Sequence, residues 1–269
     1  MPFLSVLTFN LRHGWADDGA QAWAHRRKAV AALLARQGAD IIGFQEVNDF
    51  QFDFLIDCLP GHRPLGDRRP HGERWEFRPV FVRATIKTLE VETLTLSATP
   101  NRLSRFRGSR YIRQATRVLF RFGGPSGPEA VVYNTHLDFT DQVQLRQAAV
   151  IWKTIRERDL DRPAMLMGDF NGTPAGSAYR FLTGRMDFGD QRGDFKDAMS
   201  PPQPHTHHGF TGRPQTGYLD WILYRGSLVC QEPAEVLEDS YEGLYPSDHF
   251  PVRAVLAVKG WSRRAANSR

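Results

Sequence analysis

The sequence predicts a protein of the α/β (α+β) class, and three observations carry that prediction. Short apolar, β-branched runs alternate with longer stretches whose apolar residues recur at helical spacing. No repeat, low-complexity tract or Ser/Gly linker divides the 269 residues, so they are read as one domain, 1–260, with a flexible tail, 261–269. The predicted strands, one after another, are bounded by a carboxylate, an amide or an imidazole.

The first strand is FLSVLTFN (3–10), buried and stopping at Asn10. AHRRKAVAALLARQG (24–38) follows as an amphipathic helix, with Val30, Leu33 and Leu34 in its stripe and Gly38 where a C-terminal glycine cap belongs. ADIIGFQEV (39–47) is a second buried strand ending at Gln45 and Glu46, and FQFDFLIDCLPG (50–61) a short helix closed by Pro60 and Gly61. Residues 62–74, rich in Arg, Gly, Pro and His, are predicted to be a loop. RPVFVR (78–83) and TLEVETLTL (88–96) are strands, and TPNRLSRFRGSR (99–110) is a basic loop. QATRVLFRF and EAVVYNTHLD, split by the turn GGPSGP, make two more strands. A long helix, DQVQLRQAAVIWKTIRER (141–158), presents Val143, Ala149, Val150 and Trp152 among its apolar positions. PAMLMGDFN (163–171) is a buried strand, SAYRFLTG (177–184) a short helix, and GYLDWILYR (217–225) and FPVRAVLAV (250–258) close the pattern as strands.

Composition narrows the class. Hydrophobic residues at 41% and charged residues at 24% describe a globular protein rather than a disordered one. A net charge of +5 suits a polyanionic partner, or serves solubility alone. Cys58 and Cys230 have no CxxC spacing and are read as buried free thiols. The N-terminus lacks a signal peptide's pattern and no apolar run reaches membrane-spanning length, so a cytoplasmic protein with no obligate protein partner is expected.

The polar strand boundaries carry the chemistry. On an extended backbone, residues at i and i+2 share a face. Asp169 and Asn171 would therefore project together while Phe170 enters the core, and Asn134, His136 and Asp138 repeat the device. Either motif alone could be an ordinary Asx turn. Glu46 leaves a wholly apolar strand, which is costly for a carboxylate unless it is paired or binds a cation. Carboxylate and amide oxygens suit Mg2+ or Mn2+; zinc is disfavoured because no HExxH or cysteine cluster is present. HTHHGF (205–210) is read as a solvated or substrate-contacting loop, with His207 its candidate contact. YPSDHF (245–250) contains Ser, Asp and His but no GxSxG elbow, so Ser247 is expected to shape a turn.

Taken together, TFN (8–10), QE (45–46), NTHLD (134–138), GDFN (168–171), LDWIL (219–223) and SDHFPV (247–252) resemble, in order, the motifs of the endonuclease/exonuclease/phosphatase superfamily. WEFRPVFVR and IRQATR are similar to strands of a small bacterial subgroup and bring in Glu76 and Arg113. The resemblance implies a four-layer α/β/β/α sandwich, with two mostly antiparallel sheets face to face and helices outside. It implies Glu46 as principal metal ligand, with Asn10 beside it and Asp248 as a second metal-side ligand. Asp169 would orient or deprotonate the attacking water, and Asn171 would hold that water or a phosphate oxygen. His249, fixed by Asp220, would stabilise the phosphate, with His136 a further contact. Glu76, Arg113, Asn134 and His207 are the outer substrate candidates.

The expected activity is hydrolysis of a phosphodiester, with nucleic acid as one candidate substrate. A phosphatase or phosphodiesterase acting on a small molecule or lipid headgroup is the alternative within the superfamily. A non-catalytic binding module is the alternative outside it, and the presence of Glu46, Asp169, Asn171, Asp248 and His249 argues against it.

Overall fold

β1 (Phe3–Asn10) and β2 (Ile41–Gln45) lie side by side and parallel, because the chain between them folds into the crossover helix α1 (Trp23–Gln37). The computed structural model describes residues 3–68 and 75–260; the expected tail at 261–269 and part of the arginine-rich stretch, 69–74, lie outside the described residues. α1 ends at Gly38, which takes the left-handed cap at φ 52° and donates its N–H to the Leu34 carbonyl. After β2 come α2 (Asp49–Cys58), β3 (His62–Leu65) and β4 (Val80–Arg83). Asn48 and Gln51 form a reciprocal capping box that starts α2.

The middle of the chain builds a second sheet. Its strands are β5 (Lys87–Thr95), β6 (Gln114–Arg121), β7 (Glu129–His136), β8 (Ala164–Asp169), β9 (Lys196–Asp197) and β10 (Asp220–Arg225). α3 (Asp141–Arg158) is the crossover between the parallel pair β7 and β8, and α4 (Ser177–Leu182) packs beside it. β11 (Leu228–Val236) and β12 (Val252–Val258) then return to the first sheet. The orders are β11-β12-β1-β2-β4-β3 and β5-β6-β7-β8-β10-β9, so each sheet holds one parallel pair among antiparallel neighbours.

Alternation along the strands separates the layers. Val6, Ile41 and Val80 face the second sheet and share one core with Val118, Val132, Leu166 and Ile222, which continues under α3 through Ile151 and Ile155. Leu7, Phe9, Ile42, Phe44 and Phe81 point the other way and pack on Val30, Leu33 and Leu34 of α1 and Leu55 of α2. The result is the four-layer α/β/β/α sandwich. Its apolar interior is the main source of stability, at about 25 cal/mol per Å2 of apolar surface buried.

Several elements depart from expectation. His62–Leu65, expected within a loop, pairs with β4 as an edge strand, where Pro64 is tolerated. β11 is a further strand that the sequence pattern does not signal: it contains Pro233 and slips register at two places, the mark of a bulged edge strand. On α3 the buried apolar positions are Val143, Ala148, Ile151, Trp152 and Ile155, with Ala149 and Val150 at the margin. Both cysteines are free and half-buried. No described helix is long and apolar enough to cross a membrane.

Candidate active site

Strand register gathers the polar ends. Asn10 pairs with Gln45 at the end of the first parallel pair, and His136 with Asp169 at the end of the second. β10 runs antiparallel to β8, so Asp220, its first residue, sits opposite Asp169. One cluster of side chains therefore forms where the carboxyl ends of both parallel pairs meet. Gly168 makes the approach possible. At φ 146°, a Cβ there would lie 2.0 Å from the Thr135 carbonyl oxygen. Just beyond the strand ends, Arg12, Glu46 and Asn171 adopt left-handed φ of 54°, 60° and 49°, a strained choice for non-glycine residues that re-aims each side chain.

Asp169 is the centre. It is almost fully buried; its Oδ2 accepts from Asn10 Nδ2 at 2.8 Å and its Oδ1 from the Asn171 backbone N–H at 2.8 Å. Burial, reinforced by Asp220 and opposed by His249, pushes its pKa up to about 7. That places a carboxylate in the range where proton transfer at neutral pH is efficient. His249 Nδ1 faces Asp220 Oδ2 at 2.8 Å, and its Nε2 lies 3.9 Å from Asp169 Oδ2. Burial disfavours the imidazolium, but Asp220 and then Asp169 outweigh it, holding the His249 pKa well above its ordinary value. His136 behaves oppositely. Burial, Arg113 and Arg78 hold its pKa well below the usual value, so its ring is neutral. Its Nε2 meets Asn171 Nδ2 at 2.9 Å.

The cation candidates lie beside this cluster. Ligand atoms of Glu46, His136 and Asp169 fall within 4.8 Å of one another, as do those of His13, Glu46 and Glu76. Burial and then the neighbouring Glu46 raise the Glu76 pKa. Two carboxylates crowded this way in a half-buried site are a fit for a divalent cation with oxygen ligands. Asn10 is next to Glu46 as expected, but its amide is oriented: Nδ2 donates to Glu46 Oε1 at 3.1 Å and to Asp169, and Oδ1 accepts the Arg12 N–H at 2.9 Å. In this arrangement it bridges the two carboxylates as a donor.

The remaining expected residues divide. Asp248 lies with His207 and His249, and its Oδ2 is 3.6 Å from Arg12 Nε. Burial raises its pKa, but His249 and Arg12 more than offset that, so it stays ionised. His207 stands edge-on to His249, ring centres 5.0 Å apart. Glu76 and Arg113 line a cavity of about 170 Å3 with Trp75, Arg78, Tyr111 and Ile112. Asn134 does not reach the site. Its amide is fully buried between the sheets, accepting from Gln45 Nε2 at 2.7 Å and donating to the carbonyls of Phe44, Pro79 and Arg78. Asp138 likewise turns away, to the basic loop. The 205–210 segment is not solvated throughout: His208 is buried and stacked on Phe250 at 3.8 Å. Ser247 shapes its turn, its Oγ accepting the His249 N–H.

Three residues were not foreseen. Arg12 and His13 follow the end of β1 after the buried Leu11, and two basic residues so close to Asn10 were the available signal. Arg26 is fully buried in α1 and donates to the carbonyls of Leu11, Arg12 and Pro246, tying together two loops of the site. Nothing in the stripe of α1 announced it.

A two-sheet sandwich with a buried carboxylate–imidazolium couple beside a crowded, cation-fitting carboxylate pair is the framework of a metal-dependent phosphoesterase. The chain belongs to the Endonuclease/Exonuclease/phosphatase family, which it matches over residues 7–249. No curated protein matches it in sequence. Among solved structures it is similar to an endonuclease/exonuclease/phosphatase from Bacteroides vulgatus, at 27% identity and TM-score 0.83 over 96% of this chain and 100% of that one. A mannosyl-6-phosphatase from Bacteroides thetaiotaomicron shares the fold at 24% identity and TM-score 0.81, covering 94% and 99%. So does the human nocturnin catalytic domain with bound sulfate, at 18% and 0.72, covering 96% and 94%.

Proposed function

We propose that residues 1–260 form one catalytic domain that hydrolyses a phosphodiester with Mg2+ or Mn2+. The observation that carries this reading is the setting of Asp169, a buried carboxylate held by Asn10 Nδ2 and the Asn171 N–H at 2.8 Å each, with His249 Nε2 3.9 Å away. Glu46, with Glu76 and His13 at hand, would hold the cation. When bound, the cation supplies positive charge to the phosphoryl oxygens. Asp169 takes a proton from the attacking water through its Oδ2, which lies between Asn10 and the two imidazoles. Asn171 gives its amide N–H groups to the neutral His136 Nε2 and to the Leu137 carbonyl, and its Oδ1 is left to accept from that water. His249, fixed in orientation and charge by Asp220, donates to the phosphoryl oxygen on which charge builds. Such a preorganised donor needs little rearrangement as the transition state forms. Asp248 keeps Arg12 and His207 in place beside His249, a reading in which it supports the phosphate side rather than coordinating the cation.

Arg113 lends the phosphate a further cation from the wall of the neighbouring cavity. Its guanidinium is buried and makes no hydrogen bond to another described residue; its Nε is fully enclosed without a partner. A phosphatase acting on a sugar phosphate is the second reading. The Glu76–Arg113 cavity favours it by being small, and the fold neighbour described as a mannosyl-6-phosphatase is in keeping with it.

Purified protein is expected to hydrolyse bis(4-nitrophenyl) phosphate with Mg2+ or Mn2+ and to lose that activity in EDTA. Undiminished hydrolysis in EDTA would sink the mechanism, and release from 4-nitrophenyl phosphate at a much higher rate would favour the phosphatase.

A further inference from the structure

Two imidazoles and a carboxylate, none of them given to the proposed cation, converge beside Asp169. Ligand atoms of His207, Asp248 and His249 all lie within 4.8 Å of one another. They come from two loops joined by their backbones. The N–H groups of His208 and Gly209 donate to the Asp248 carbonyl at 2.9 and 3.1 Å, and that of Phe250 to the Thr206 carbonyl at 2.7 Å. His207 and His249 also form a β-bridge with each other. The three side chains are therefore held at a fixed spacing before anything binds.

Each of the three has ligand capacity left. His207 makes no side-chain hydrogen bond among the described residues, and its Nδ1 is enclosed without a partner. His249 Nδ1 faces Asp220 Oδ2 at 2.8 Å, which leaves Nε2 open. A carboxylate behind the imidazole is the usual outer partner of a metal-binding histidine: it fixes the ring and strengthens it as a ligand. Asp248 Oδ1 accepts from Ser247 Oγ at 3.2 Å, while its Oδ2 faces Arg12 Nε at 3.6 Å, beyond hydrogen-bond length. Arg12 has its own partner in Asp18, to which it donates through Nε at 3.2 Å and Nη2 at 2.9 Å, so Asp248 can be released.

The ring spacing points to a particular ion. Zinc binds imidazole nitrogen at about 2.1 Å and arranges its ligands tetrahedrally, so the centres of two rings on one zinc stand about 5.2 Å apart. The His207 and His249 rings stand 5.0 Å apart at an interplanar angle of 69°. Two nitrogens and one carboxylate oxygen are a donor set that suits zinc, whereas the Glu46–Glu76 pair offers the oxygens that suit Mg2+. The sequence disfavours zinc for want of a compact ligand motif; here loop pairing brings the ligands together instead.

We infer that His207, Asp248 and His249 form an inhibitory zinc site, separate from the cation that Glu46 would hold. On binding, Zn2+ takes the place of the proton on His249 Nε2, and that proton leaves to solvent. His249 then has no N–H to give the phosphoryl oxygen, so zinc stops hydrolysis without displacing Mg2+. The binding stands on the geometry; the inhibition rests on the role proposed above for His249.

Metal-free protein titrated with Co2+ in excess Mg2+ reads the site without chemistry. Four-coordinate Co2+ with nitrogen ligands absorbs strongly in the visible, and six-coordinate Co2+ among oxygens absorbs weakly. One equivalent is expected to give the strong band in wild type and in Glu46→Gln, and not in His207→Phe. Zn2+, followed by competition with a chromophoric chelator, should bind His207→Phe about 100-fold more weakly, the upper end of what losing even an outer partner costs. With bis(4-nitrophenyl) phosphate and excess Mg2+, half-inhibition of His207→Phe should need about 100-fold more Zn2+ than that of wild type. His207→Gln repeats the test should the larger ring disturb the loop. A strong band that survives in His207→Phe overturns the inference, as does a wild type showing only the weak band. So does a band lost in Glu46→Gln, which would give the ion to the Glu46 cluster. Zinc bound at full strength without slowing hydrolysis overturns the inhibitory role. The two readings fail separately. A strong band in a protein with no metal-dependent hydrolysis removes the catalytic reading and leaves the zinc site standing; metal-dependent hydrolysis with no strong band removes the zinc site alone.

Discussion

Two buried charge networks in this molecule make opposite use of their polar atoms. Under α3, Asp159 accepts from Arg117 Nε at 2.8 Å, Arg117 Nη2 at 2.6 Å, Tyr133 Oη at 2.5 Å and Arg162 Nη1 at 3.2 Å. Arg117 gives its remaining bond to Glu90 at 2.8 Å. Burial would raise the Asp159 pKa, yet Arg117 and Tyr133 bring it below the ordinary value. Every oxygen of that carboxylate is satisfied. At the site, in contrast, Asp220 Oδ1, His136 Nδ1, His207 Nδ1 and Arg113 Nε are buried with no partner, and the Asp169 pKa is raised rather than lowered. A finished network stabilises a fold; one with open valences costs stability and keeps binding capacity for a ligand.

The comparison can be broken most forcefully at the site. Asp169→Asn is expected to lower metal-dependent turnover by about 10²–10⁴-fold, the span typical of losing a general base. The same variant should melt about 2–4 °C higher than the parent at pH 8 in EDTA. The sign follows from linkage: an acid with a raised folded pKa withdraws stability as pH climbs from its unfolded value through about 7, and a neutral amide does not. A lower melting temperature together with near-normal turnover would show that the open cluster is structural after all.

The closed network should respond the other way. Asp159→Ala leaves the Arg117 guanidinium buried with only Glu90 as partner, and breaking such a pair costs about 3–5 kcal/mol. Urea unfolding should show that loss, while kcat of the folded fraction at 25 °C stays near the parent's. A stable but inactive variant would erase the distinction between the two regions.

The smallest expected effect is on pH dependence. Burial pushes His208 down to about 4, the ring being stacked on Phe250 with Nδ1 accepting the Gly212 N–H. The unfolded chain takes up this proton near pH 6.5 and the folded protein only near 4, so the stability this neutral ring confers is complete above pH 6.5 and is lost as pH falls toward 4. His208→Asn keeps an acceptor for Gly212 and should flatten the fall of melting temperature across that window. An unchanged slope would put the acid sensitivity on other groups, with His136 and His62, also depressed, the next to test.

Much of this was legible in the sequence, for a physical reason that also marks where it stopped. Local patterns gave the strands around Asn10, Glu46, His136 and Asp169, because an apolar run ending in a carboxylate or imidazole is costly unless the ending is used. Edge strands were harder: Pro64 in β3 and Pro233 in β11 suppress the strand signal, and only pairing with β4 and β12 makes them strands. Asn134 shows the deeper limit. Period-two alternation correctly set it on the same face as His136, but that face is turned toward the other sheet, and only the packing of the two sheets decides that its amide is consumed by Gln45 and the Phe44, Arg78 and Pro79 carbonyls. Arg26 was invisible for a similar reason. A helical arginine reads as solvated until loops from distant parts of the chain close over it.

The strand order has a consequence for how the molecule is made. β1 and β2, which carry Asn10 and lead to Glu46, leave the ribosome well before β12, the strand that flanks β1 on its other side. Until then β1 is an open edge, and Asp220 and His249 have not yet been synthesised or docked. The nascent chain therefore carries an exposed strand edge open to mispairing until β12 is made. The cluster around Asp169 therefore closes only after β12 has been made, so a chain cut before Asp220 would hold Glu46 without His249.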